Sequence, residues 1–114
     1  MTQVRWQKQH AERHALLERE LKRITLALRE IGVQRIVLFG SVARERINAW
    51  SDLDLIVVLD SDLPFIKRLE KLYDQIKPCV GLDLLAYTSE EFEAIRERPF
   101  IRQALREGRV LYEA

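Results

Sequence analysis

Early in the chain, apolar residues return every third or fourth position: Leu17, Leu21, Ile24, Leu28 and Ile31, with Arg, Glu and Lys between them. That period lays one apolar stripe along a helix, so residues 8–31 are predicted helical, with residues 1–14 a frayed helical extension and Gly32 a left-handed stop. The pattern then changes. Arg35-Ile36-Val37-Leu38-Phe39 is too short for a helix and rich in β-branched residues, which predicts a buried strand ending at Gly40. Residues 41–47 make one or two helical turns with Ser41 as the cap, and Ala49 to Ser51 is loop. Leu53 to Leu59 is a second strand, apolar except for Asp54. Ser61-Asp62 before Pro64 opens a helix that runs to Ile76 and is closed by Pro78, and Val80 to Tyr87 is a third strand. Thr88-Ser89-Glu90-Glu91 has capping-box spacing, so a helix starts there. Pro99 either breaks that helix or starts another that reaches Glu107, Gly108 is the stop, and Val110-Leu111-Tyr112 forms a last edge strand. This order of elements predicts an α/β (α+β) fold, a small mixed β-sheet flanked by helices.

Composition narrows the class. The chain has 114 residues, enough for one domain, and 47% apolar with 32% charged residues describes a folded chain rather than a disordered one. The longest aliphatic run, Leu55 to Leu59, is far short of the roughly 20 residues a membrane helix needs, so no membrane partner is expected. A formal charge of +1 offers no basic stripe, so no direct DNA binding is expected either. One cysteine, Cys79, can form no intrachain disulfide, which fits a reducing, cytoplasmic location. Charge is nonetheless segregated: residues 1–31 sum to +3, 32–47 to +2, 48–93 to −6 and 94–114 to +2. An acidic centre threaded by apolar strands is what a cation site produces; solvated helix faces produce it too.

Three acids stand where core strands should be apolar. In Ser51-Asp52-Leu53-Asp54-Leu55, residues two apart share a strand face, which sets the two carboxylates side by side, roughly 6–7 Å apart at the backbone. Burying both is costly without a positive partner, and a divalent cation with oxygen ligands is the economical one. A solvent-exposed strand mouth is the alternative. Gly40-Ser41, at a strand-to-helix turn, offers close backbone approach, free N–H groups and a hydroxyl: a phosphate seat, or a plain capped turn. Asp83 interrupts the third strand near its start. The three places meet only if the first two strands are antiparallel and the second and third parallel. Residues 61–79 supply a helical connection long enough for that crossover.

Gly40-Ser41, ten residues, then Asp52-x-Asp54 is similar to the G-S-x10-D-x-D motif of the nucleotidyltransferase superfamily that includes DNA polymerase β-like palms. Leu38-Phe39-Gly40-Ser41-Val42-Ala43-Arg44 with Ser51-Asp52-Leu53-Asp54-Leu55 resembles the minimal nucleotidyltransferase (MNT) branch, over residues 15–113. The resemblance implies a polymerase β-like nucleotidyltransferase fold and a single minimal domain over residues 1–114. It implies an enzyme that moves a nucleoside monophosphate, AMP from ATP, onto a hydroxyl. Asp52, Asp54 and Asp83 would hold two Mg²⁺ ions, with Asp83 completing the site of the ion that activates the incoming hydroxyl. Gly40 and Ser41 would hold the β- and γ-phosphates. Arg44 matches a basic position of the family and would reach phosphate, whereas Val42 stands where many relatives carry Arg. The resemblance also implies a partner: a HEPN-domain toxin, modified on a tyrosine, with this chain as antitoxin. Larger relatives clamp the acceptor with a second domain, so a partner protein or a second copy of this chain is expected to supply the rest of the cleft. Two other functions stay open: an antitoxin that neutralises its partner by contact alone, and an aminoglycoside-type adenylyltransferase.

Several polar and aromatic residues receive no chemical role. His10 and His14 have a zinc-compatible spacing but no third ligand in view. Cys79 reads as a small core residue, Trp50 as packing on the sheet edge, with stacking on a base as the alternative, and Trp6 and Tyr112 as interface residues. Asp60 and Asp62 fall at the far end of the second strand, away from the other acids.

Overall fold

The short apolar runs become the strands of one sheet, and the amphipathic stretches cover its two faces. A computed structural model describes residues 2–48 and 51–114. The elements are α1 (Thr2–Ile31), β1 (Arg35–Phe39), α2 (Gly40–Ala43), β2 (Leu53–Val58), α3 (Phe65–Ile76), β3 (Leu82–Tyr87), α4 (Ser89–Ile95), α5 (Pro99–Glu107) and β4 (Arg109–Glu113). The sheet order is β3-β2-β1-β4. β1 pairs antiparallel with β2 and with β4, and β2 pairs parallel with β3. This is the arrangement the three acids needed in order to meet.

Strand alternation sorts the core into two layers. Ile36 and Leu38, Leu53, Leu55 and Val57, and Leu82, Leu84 and Ala86 face α1 and α3, meeting Leu17, Ile24, Leu28, Leu72 and Ile76. The other face sets Val37, Phe39, Ile56 and Val58 against Phe92 of α4 and Ile101 and Ala104 of α5. Each such buried aliphatic side chain contributes about 1.5–3 kcal/mol. Asp54 and Asp83 are in phase with Ile56 and Leu85, so they belong to the α4–α5 face.

Element boundaries differ from the pattern in instructive ways. α1 starts at Thr2, because helix-favouring Gln, Lys, Ala and Glu residues run ahead of its apolar stripe. α2 stops at Ala43 because Glu45 takes a positive φ of 59° and the Arg46 N–H bonds back to the Ser41 carbonyl. Its N-cap is Phe39 in extended conformation, without a side-chain cap, so Ser41 does not cap it. α3 is likewise opened by Pro64 rather than by Ser61 or Asp62. The capping box at Thr88 forms in full, with the Thr88 hydroxyl accepting from the Glu91 N–H and Glu91 accepting from the Thr88 N–H. Cys79 is exposed, not part of the core, because β3 begins only at Leu82. Trp50 and the Trp6 side chain lie outside the described residues. Tyr112 lies under the Arg29 guanidinium, 4.5 Å from the ring centre.

β3 is an edge strand, and an edge needs cover. α3 supplies it: Arg68 donates to the Ala86 carbonyl at 2.8 Å, and the Tyr73 hydroxyl reaches the Leu82 carbonyl and the Leu84 N–H.

Candidate active site

Register brings the acids together. Phe39, the last residue of β1, pairs with Asp54, and Asp54 pairs with Asp83 across the parallel strands. Past Phe39 the chain turns through Gly40, whose φ of +76° disfavours any other residue. A Cβ at Gly40 would also collide with the Asp54 carboxylate. Gly81 stands in the same relation to Asp52, since a Cβ there would strike its carboxylate. Each aspartate of the Asp-x-Asp pair therefore lies against a glycine, one from the β1–α2 turn and one from the loop before β3.

The acids differ in surroundings. Asp54 is half-buried; Asp52, which precedes β2, and Asp83 are exposed at the strand mouth. Burial, then the hydrogen bond with Asp83 and its charge, then the charge of Asp52 push the Asp54 carboxyl up to about 6, and Arg44 pulls weakly the other way. Among the described residues no three acid, histidine or cysteine side chains close on one point. Asp54 and Asp83 meet, and Asp52 sits one step away beside Gly81. An all-oxygen donor set, with one acid needing a proton to tolerate its neighbour, fits a hard divalent cation.

A cavity of about 570 Å³ opens over the pair, walled by Phe39, Leu69, Tyr73, Leu85 and Phe100. Phe100 stands edge-on to Phe39, 5.9 Å between ring centres, and is 61% exposed at the mouth. A smaller hollow of about 240 Å³ lies across those rings, beside Gly40, Arg44, Gln103 and Glu107. There Arg44 is held by Glu107 at 3.1 Å. Gln103 first, then Arg44, keeps the Glu107 carboxyl below the usual range. Ser41 is tied to Ser51, hydroxyl to hydroxyl at 3.4 Å, and the buried Ser51 hydroxyl accepts from the Asn48 N–H at 2.8 Å. Asp60 and Asp62 line a different cavity, with Arg68 and Lys71, at the opposite end of β2.

Sequence reasoning missed what holds these loops in place. α1 reaches both of them. Arg13 donates to the Ser51 carbonyl at 2.8 Å, just before Asp52. Arg23 donates to the Ile76 and Lys77 carbonyls at 3.0 and 3.2 Å, and Glu20 accepts from the Cys79 N–H at 2.9 Å, so the loop leading to Gly81 is pinned. Glu20 left a signal, an acid three residues after Leu17 and four before Ile24, inside the apolar stripe. Arg13 left none.

A mixed sheet carrying paired aspartates beside a Gly-Ser turn defines a class. Residues 18–112 match the nucleotidyltransferase domain family, and the chain belongs to that family and is a nucleotidyltransferase. It is 36% identical over 81 residues to "Putative protein adenylyltransferase MJ0604" of Methanocaldococcus jannaschii, covering 70% of this chain and 79% of that protein. Among solved structures it is similar to a toxin–antitoxin with AMP-PNP, at a TM-score of 0.55 and 25% identity over 82% of this chain and 73% of that one. It is similar also to a mutant toxin–antitoxin MntA-HpeT, at a TM-score of 0.53 and 25% identity over 82% of this chain and 72% of that one. Among the described residues no helix is long and apolar enough to cross a membrane.

Proposed function

We propose that this chain is a Mg²⁺-dependent adenylyltransferase that moves AMP from ATP onto a tyrosine of a HEPN-domain toxin and is that toxin's cytoplasmic antitoxin. The observation that carries the proposal is the Asp54–Asp83 pair, two carboxyls brought face to face by register with Asp54 raised to about 6. The protein adenylyltransferase among its relatives and the toxin–antitoxin MntA-HpeT among its structural neighbours support a protein acceptor in a toxin setting.

Asp52, Asp54 and Asp83 are the residues that would hold two Mg²⁺ ions. When bound, such ions neutralise charge on the phosphates and favour deprotonation of the attacking hydroxyl. Gly40, having no Cβ, lets the Asp54 carboxylate pack against the β1–α2 turn, and the backbone of that turn with the Ser41 hydroxyl would receive the phosphates. Arg44, once released by Glu107, adds positive charge for the departing phosphates. Phe39 and Phe100 supply an apolar wall to the cavity over the acids. In the reaction the acceptor oxygen bonds to the α-phosphorus, the bond to the bridging oxygen breaks, and pyrophosphate leaves. The whole constellation sits in one minimal catalytic domain over residues 1–114, and the partner or a second copy completes the cleft.

The test combines the chain, Mg²⁺, ATP labelled at the α-phosphate and the HEPN-domain partner. Label should move to a partner tyrosine, and should fail to move when Asp52→Ala and Asp54→Ala are combined. A partner that is inhibited yet unlabelled would overturn the catalytic reading in favour of contact alone. In a parallel mixture that also holds an aminoglycoside, label on the aminoglycoside and not on protein would overturn the acceptor.

A further inference from the structure

We infer that Tyr73 is a positioning residue for the reaction: its hydroxyl clips the edge strand on both sides of Asp83 and so holds that carboxylate against Asp54. The inference rests on the reading of Asp83 as a metal ligand. β3 has β2 on one side and no strand on the other, so its outer backbone groups must find partners elsewhere. The Tyr73 hydroxyl donates to the Leu82 carbonyl at 2.6 Å and accepts from the Leu84 N–H at 3.0 Å. Those are the two bonds that a further strand would make to the residues flanking Asp83. One oxygen makes both, and the backbone of Asp83 is fixed between them.

Asp83 needs this hold. It is exposed, faces a like-charged neighbour, and lies on the outermost strand near its start, where a sheet frays most easily. Functional groups work only when held to about 0.5 Å, and repulsion between the two carboxyls pushes against that hold. Packing alone would have been served by leucine at position 73, since the ring lies beside Leu69 and Leu84 in the cavity wall. What leucine lacks is the hydroxyl. Farther along the same edge Arg68, paired with Glu91, takes the Ala86 carbonyl, so that part of the strand has a separate clip away from Asp54 and Asp83.

The test uses the full chain without nucleotide, and Mn²⁺ as the probe, followed by electron paramagnetic resonance. Tyr73→Phe keeps the ring and removes the hydroxyl. Outer partners of metal ligands typically contribute 10- to 100-fold in metal affinity, so Mn²⁺ should bind this variant about 10-fold or more weakly. Amide exchange at Leu84 should quicken. With ATP and acceptor present, kcat should fall while KM for ATP stays close to wild type. Glu91→Gln, which disturbs the far clip of the same strand, should bind Mn²⁺ as wild type does. Affinities are read below each variant's melting transition, so a loss of stability cannot mimic the effect. Asp83→Asn is the reference. If Asp83→Asn loses Mn²⁺ and Tyr73→Phe binds it normally, the role of Tyr73 is overturned and the metal site stands. If Asp83→Asn also binds normally, the metal reading is overturned and this inference with it.

Discussion

The two ends of the β2–β3 pair handle charge in opposite ways. At the end where β3 leaves the sheet, Arg68 is buried, its side chain 4% exposed, and its two terminal nitrogens are paired while its Nε has no partner among the described residues. It donates to the Leu63 carbonyl, the Ala86 carbonyl and Glu91 at 2.9, 2.8 and 2.7 Å. Glu91 in turn accepts from the Thr88 N–H, and Arg68 first, then Thr88, holds its carboxyl below the usual range. At the other end two acids meet, the pull of Arg44 is outweighed by burial and by the neighbouring carboxyls, and Asp54 keeps its proton up to about 6. A charge cluster that balances itself serves the fold. One that does not balance itself has capacity left for a ligand, and folding free energy is spent to keep it so.

Breaking each end should therefore produce opposite results. The largest effect belongs to Asp54→Asn. Activity should fall on the order of 10³-fold, as when a principal charge-stabilising group is lost, while the metal-free melting temperature holds or rises because a like-charge repulsion is gone. Activity assays beside thermal melts measure both. Arg68→Ala should do the reverse, costing about 1–3 kcal/mol in a urea titration by leaving the buried Ala86 carbonyl without its donor, with specific activity of the folded fraction unchanged. Gly40→Ala joins the two kinds of loss. Its strained positive φ costs about 1–3 kcal/mol, and the displaced Asp54 carboxylate lowers turnover as well.

The smallest effect, and the sharpest contrast, is in pH. Glu91 has its folded value below its ordinary 4.5, so the stability it lends is present above that pH and is lost as pH falls through the lower value. Asp54 has its folded value near 6, above its ordinary 3.8, so in metal-free protein its penalty is present above 6 and is relieved as pH falls from there toward 3.8. Urea midpoints of Glu91→Gln and Asp54→Asn, each compared with wild type across this range, should differ from wild type in opposite directions.

How much of this was legible beforehand depended on whether an interaction was local. Strands showed as short apolar runs, and Asp54 and Asp83 stood out because a charge interrupts such a run, although an exposed strand mouth would explain each of them alone. Gly40 was legible as a turn glycine, and Thr88 with Glu91 as a cap, because both devices act within a few residues. Strand directions were legible only as a condition for the acids to meet, which the length of the α3 connection permitted and the register meets. The rest depended on distant partners. Arg68 sits among Lys67, Glu70 and Lys71 on α3 and looks like any solvated helix charge until Ala86 and Glu91 fold against it. Tyr73 reads as an apolar helix position, and its hydroxyl gains meaning only from strand β3. Gly81 lies in a loop, and its need to lack a Cβ comes from Asp52, far away in sequence. Cys79 went to the surface because β3 starts after it.

The central claim is that the Asp54–Asp83 pair is kept unbalanced for a divalent cation. Its most direct test is a carbon-13 NMR titration of the Asp54 carboxyl with and without Mg²⁺. The account predicts a midpoint near 6 in metal-free protein and a clear downward shift when Mg²⁺ is added, as the cation takes the place of the proton. A midpoint that stays near 6 at saturating Mg²⁺, or one already at the ordinary carboxylate value without metal, would contradict it.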